Sequence, residues 1–198
     1  MGSILKVDNL QNSDGTRTLA SDSGTAWSWG AGVPQGTILQ VKNSYVNAAS
    51  NAFNVLSEPS GTSGGQYFVA PSTPLSVDIT PKVSGNKFLL MCNFTYGISN
   101  DASAMFVIKR TAPTVAYSSG VADTSGDART ASFVGSHGNN SGYKMGASIH
   151  WLDTSVSTAQ HTYSLFGGHN GTGSVTYLGG THANYVGGST ITVMEVQG

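Results

Sequence analysis

The sequence predicts an all-β fold, a sandwich or a barrel, on three observations. No stretch of about 10–12 residues repeats apolar positions at helical spacing. Short apolar-rich runs instead recur at fairly even intervals, separated by clusters of Gly, Pro, Asn, Asp and Ser. Glycine supplies 26 of the 198 residues without a fixed period, which suits many tight turns and excludes a collagen-like repeat.

The elements follow in order. Residues 1–36 read as an arm or linker, in which residues 11–36 hold few core-forming side chains besides Leu19, Trp27 and Trp29. Within them "ILKVDNL" can pair as one strand. A soft boundary is placed near Pro34, so that 37–198 forms the folded domain. Strands are predicted at 37–46, 52–57, 66–70, 75–80, 87–98, 104–110, 114–118, 130–134, 147–153, 161–167, 174–178 and 190–196.

Four of these strands are apolar on both faces. Along 87–98, Phe88, Leu90, Cys92, Phe94, Tyr96 and Ile98 share one face while Leu89 and Met91 take the other. Along 104–110, Ala104, Phe106 and Ile108 oppose Met105 and Val107. Ile149 and Trp151 oppose Leu152, and Ile191 and Val193 oppose Met194 and Val196. A two-sheet sandwich covers one face of each sheet. The second apolar face needs the arm, a long loop or another copy of the chain as its cover, since exposing it costs about 25 cal/mol per Å². Self-association is the favoured expectation, with Leu89, Met91, Met105, Val107, Met194 and Val196 at the interface.

Composition narrows the function. Asp, Glu, Lys and Arg make up 10% of residues and the formal net charge is −1. That is not the electrostatic footprint of a nucleic-acid binder, nor of a polybasic membrane surface. No apolar run approaches the roughly 18 residues of a membrane span. The single cysteine, Cys92, excludes an intrachain disulfide and a cysteine zinc cluster, and it reads as a small buried hydrophobe.

Catalytic and metal-binding patterns are not found. His137, His150, His161, His169 and His182 form no HxH or HExxH pattern and read as surface-loop residues. His150, in a two-sided strand, is the one placed to meet its copies at a symmetry axis. The acids are scattered, and Asp78 and Asp153 read as turn formers at strand ends. "SGTSGG" and "FGGHNGTG" are explained by turn chemistry. The expectation is a non-enzymatic protein with no cofactor and no metal.

Three features together carry a resemblance. They are the central "VDITPKVSGNKFLLMCNFTYGIS", the later "SIHWLDTSVSTAQHTYSLFG", and the closing "STITVMEVQG" with "SILKVDNLQNSDGT" at the start. The chain resembles the virion structural proteins of tailed bacteriophages, short tail-fibre and head-decoration proteins especially of marine and cyanobacterial phages. The resemblance covers nearly the whole chain. It implies an antiparallel jelly-roll-type β-sandwich of C1q/tumour-necrosis-factor architecture with an extended N-terminal arm, assembled as a homotrimer. The last strand would lie in the inner sheet by the three-fold axis. The arm would dock onto capsid or tail proteins of the virion or thread along a neighbouring copy, with Ile4, Leu5, Val7 and Leu10 in contact, because a weakly hydrophobic arm needs a surface supplied by something else.

Aromatic-rich segments leave a second reading open. Trp27 and Trp29 alternate, so they either staple the arm to the sandwich or present a flat surface to the shell or to sugar rings. The segments containing His137, Asn139, Asn140 and Tyr143, and His182, Asn184 and Tyr185, mix adaptable hydrogen-bonding groups with aromatic rings, as binding loops do. They are either plain turns or the receptor loops of a tail-fibre module that recognises host surface glycan.

Overall fold

The computed structural model describes residues 9–11, 18–22, 27–29, 34–47, 54–57, 68, 70–71, 73–98, 102–119, 132–137, 145–154, 156–169, 175–179 and 187–198. Every regular element among them is a strand. In chain order these are β1 (Asn9–Gln11), β2 (Thr18–Asp22), β3 (Trp27–Trp29), β4 (Ile38–Asn47), β5 (Asn54–Ser57), β6 (Ser76–Ile79) and β7 (Lys87–Ile98). Then follow β8 (Ala102–Ala112), β9 (Ala116–Tyr117), β10 (Phe133–His137), β11 (Met145–Asp153), β12 (His161–His169), β13 (Val175–Leu178) and β14 (Gly188–Val196).

Two antiparallel sheets form the sandwich. One has the order β4-β14-β7-β13-β5, with β11 on β7. β14 pairs Lys87–Asn93 and β13 pairs Tyr96–Ile98, while β11 pairs Phe88–Tyr96. The overlapping registers put β14 and β13 along one edge of β7 and β11 along the other. The second sheet has the order β10-β8-β12-β6, with the two-residue β9 beside β8. Counting β4, β6, β7, β8, β10, β11, β12 and β14 as first to eighth, the sheets read 1-8-3-6 and 2-7-4-5. That is the strand order of a jelly roll.

The alternation read from the sequence supplies the core. Phe88, Leu90, Cys92, Phe94 and Tyr96 of β7 meet Ala104, Phe106 and Ile108 of β8, with Val77, Ile79, Tyr163, Leu165, Ile149, Ile191 and Val193 around them. Fully burying side chains of this size stabilises by about 1.5–3 kcal/mol each. At one end of the core the rings of Phe94 and Phe106 stand 4.6 Å apart, and Phe133 packs edge-on to Phe94 and Tyr96.

Some expectations shift. β7 matches its predicted range, and β8, β11, β12 and β14 run a residue or more longer than read. The strand expected at 66–70 is not formed at its described residues, Phe68 and Ala70; Phe68 instead packs on Met105 and Val107. The arm expected to be extended carries a three-stranded antiparallel sheet, β1-β2-β3. The sandwich begins after a turn at 34–37, where Gly36 has φ +83° and Thr37 N–H donates to the Pro34 carbonyl at 3.2 Å.

Candidate functional site

The closing strand occupies the middle of its sheet, between β4 and β7. Ile191, Val193 and Glu195 face the core, so alternation turns Thr190, Thr192, Met194 and Val196 outward. Its register with both neighbours lays the outward side chains out in rows. Val41, Met194, Leu89 and Leu152 lie opposite one another across β4, β14, β7 and β11. The row is apolar throughout. Val41 and Leu152 at its ends are about half exposed, at 53% and 49%. Beside it Val196 pairs with the exposed Ile38, after a bulge that shifts the register.

Away from that row the face becomes polar. Two residues along, Asn43, Thr192, Met91 and His150 form the next row, with the Asn43 amide donating to Thr192 Oγ1 at 2.7 Å. Two residues further, Tyr45, Thr190, Asn93 and Ser148 form the third, with Ser148 Oγ donating to Asn93 Oδ1 at 2.7 Å. The outward face of this sheet is therefore graded, from an apolar end near the C-terminus to an uncharged polar end.

The six residues expected at an interface between copies do not share a surface. Leu89, Met91, Met194 and Val196 lie on this outward face. Met105 and Val107 belong to the other sheet, so the same alternation turns them to the opposite side of the sandwich. There they are buried with Phe68, with Phe166 and Tyr117 packed alongside. Lys109 joins this cluster, its ammonium 4.9 Å from the centre of the Phe166 ring and 5.2 Å from that of Tyr117. The second apolar face of β8 thus finds its cover within the chain.

Buried polar groups hold the two sheets together. The Arg110 guanidinium from β8 pairs with Asp153 of β11 at 2.5 Å, and Tyr163 Oη donates to the same carboxylate oxygen at 2.7 Å. Arg110 Nε also donates to the Thr114 carbonyl at 2.9 Å. Burial and the bond to Asp153 both push the Tyr163 hydroxyl pKa up. His161 is buried, not a surface residue. Ser157 N–H donates to its Nε2 at 3.3 Å, which leaves the ring proton on Nδ1, donating to the Ala159 carbonyl at 2.7 Å. Its pKa is lowered, chiefly by burial. The Glu195 carboxylate accepts from Lys82 and Val83 N–H, the Asn86 amide and the Gln40 amide, tying the turn after β6 to the last strand. Cys92 is buried, with its thiol pushed up to about 12 by burial.

Asp153 is therefore not a turn former. It shares the inward parity of Ile149 and Trp151, and an acid on a core face needs a partner. Arg110, at inward parity with Phe106 and Ile108, was the matching signal.

Of the arm residues, Leu10 lies in β1, and Trp27 and Trp29 bound β3; Ile4, Leu5 and Val7 lie outside the described residues. Of the candidate receptor residues, His137 ends β10, and Asn139, Asn140, Tyr143, His182, Asn184 and Tyr185 lie outside the described residues. Among the described residues no three His, Cys, Asp or Glu side chains converge as a metal site.

No protein-family model and no curated protein matches the chain. Among solved structures, a structure of infectious bursal disease virus, Gx strain, is similar, with 12% identity and a TM-score of 0.35. The match covers 91% of this chain and 43% of that one, so the chain spans less than half of the viral chain's length.

Proposed function

We propose that this chain is a non-enzymatic structural protein of a bacteriophage virion. It assembles as a homotrimer and acts as capsid decoration or as a short fibre, anchored to the particle through residues 1–36. The observation that carries the assembly is the apolar row Val41–Met194–Leu89–Leu152 across the central strands of one sheet. A second copy is the occupant best matched to it. The row is apolar from edge to edge, so it offers a hydrophobic contact and no charge pattern for a different partner. The three-fold count comes from the sequence resemblance, as does the virion setting. The buried ionisable groups Arg110, Asp153, His161 and Glu195 are all taken up in holding the fold, which supports a mechanical role.

The experiment is a mass measurement in solution. Light scattering on the intact chain is expected to give about three times the 20.4 kDa of one copy. Met194→Asp places a carboxylate in the middle of the row and should yield a folded single copy. A native protein that already runs as a single copy, or a Met194→Asp variant of unchanged mass, would remove the basis for this reading.

A further inference from the structure

At the polar end of the graded face the sheet carries a cavity of about 490 Å³. Its walls include Asn93 and Thr95 of β7, Gly146 and Ser148 of β11, Gly188 of β14 and Phe133 of β10. None of the described side chains that line it is ionisable. The Ser148–Asn93 bond uses the amide oxygen of Asn93 and leaves its two N–H donors for a ligand. Thr95 adds a hydroxyl that both donates and accepts. A Cβ built on Gly188 would fall 2.7 Å from the Tyr45 ring, so that ring, 57% exposed, lies across Gly188 at the cavity's edge.

We propose that this cavity binds a neutral, polyhydroxylated ligand of one or two sugar rings. The volume is within the roughly 300–1,000 Å³ typical of small-molecule sites. Amide and hydroxyl groups on β7 and β11 match ring hydroxyls, and the Tyr45 ring offers a flat apolar surface to the C–H face of a sugar. An acidic ligand finds no cation among the described lining residues. The contrast lies within the same molecule: a second cavity of about 300 Å³ carries Lys42, Lys82 and Asp78, and would respond to charge. Thr190 stands four residues from Met194, about 13 Å along the strand. Copies meeting at the apolar end can therefore leave the polar end open, and the inference does not depend on the assembly reading.

The test is saturation-transfer NMR on the full chain. Glucose, galactose, N-acetylglucosamine and maltose serve as neutral probes, with glucuronate and inorganic phosphate as anionic ones. Transfer to at least one neutral sugar is expected, unaffected by added salt. A Cβ on Gly146 meets nothing within 4 Å, so Gly146→Leu grows into open space. It should abolish transfer while leaving the unfolding temperature unchanged. Ser148→Ala should weaken binding about fivefold. The proposal is overturned by silence from every neutral sugar or by undiminished transfer in Gly146→Leu. It is equally overturned if only the anionic probes bind and salt removes them, which would locate the ligand at the lysine-lined cavity. Light scattering on the same samples reads assembly separately, so the loss of one property does not count against the other.

Discussion

Asp153 accepts two strong hydrogen bonds, from Arg110 and Tyr163, in the space between the sheets. Removing it leaves a buried guanidinium without this counter-charge, held by neutral partners such as Thr114. Asp153→Ala should cost about 3–5 kcal/mol, read as a fall in the urea midpoint. A loss under about 1 kcal/mol would mean the pair behaves like an exposed one. His161 sets a pH dependence. Its pKa in the folded chain is lowered, mainly by burial and against the opposing pull of the Ala159 carbonyl; Arg110 lowers it further and Asp153 raises it. The unfolded chain takes up a proton near the ordinary value of about 6.5. The stabilising effect is therefore whole above that pH, and lost progressively as pH falls below it. Urea midpoints measured from neutral pH downward should decline less steeply in His161→Phe than in the parent; identical slopes would exclude His161. These polar core residues were the least legible part of the sequence. Asp153, Arg110 and Glu195 each sit at the end of an apolar alternation, where a charged residue is as readily read as a strand terminus.

β14 shows what alternation makes readable. The pattern Ile191, Thr192, Val193, Met194 fixes two faces but does not say which one turns inward. Packing decides it, with Ile191 and Val193 fully buried against β7 and its partners. Val193→Asp should therefore abolish soluble expression, by placing a charge in the core, whereas Met194→Asp should change only the mass. If Val193→Asp were folded and monomeric, the face assignment would be reversed. The long two-sided strands were legible because their periodicity spans many residues. Phe68, outside any strand, was not, because its position is set by contacts distant in sequence. The split of Met105 and Val107 from Leu89 and Met91 was likewise hidden. Local pattern marks both strands as two-sided but does not reveal that they belong to different sheets.

For the whole molecule, the turn at Pro34–Thr37 separates β1-β2-β3 from the sandwich strands. Deleting residues 2–33 should leave the urea midpoint of the sandwich nearly unchanged while removing attachment to particles. Co-sedimentation with particles lacking this protein measures the second property. Normal attachment by the shortened chain would refute the anchoring role. The jelly-roll architecture, expected from the resemblance and not from the strand pattern itself, rests on the pairing of β4 with β14 and of β6 with β12, contacts whose partners lie far apart along the chain.

The pairing of β4 with β14 has a consequence for biosynthesis. Just beyond the ends of these strands, Gly36 N–H donates to the Gln197 carbonyl and Gln197 N–H donates to the Thr37 carbonyl. Until β14 has been synthesised, β4 and the facing edge of β7 lack the strand that pairs with both of them. Closure of the sheet is a late event of high contact order. A nascent chain halted before Gly188 would present two sticky borders to its neighbours on the same message.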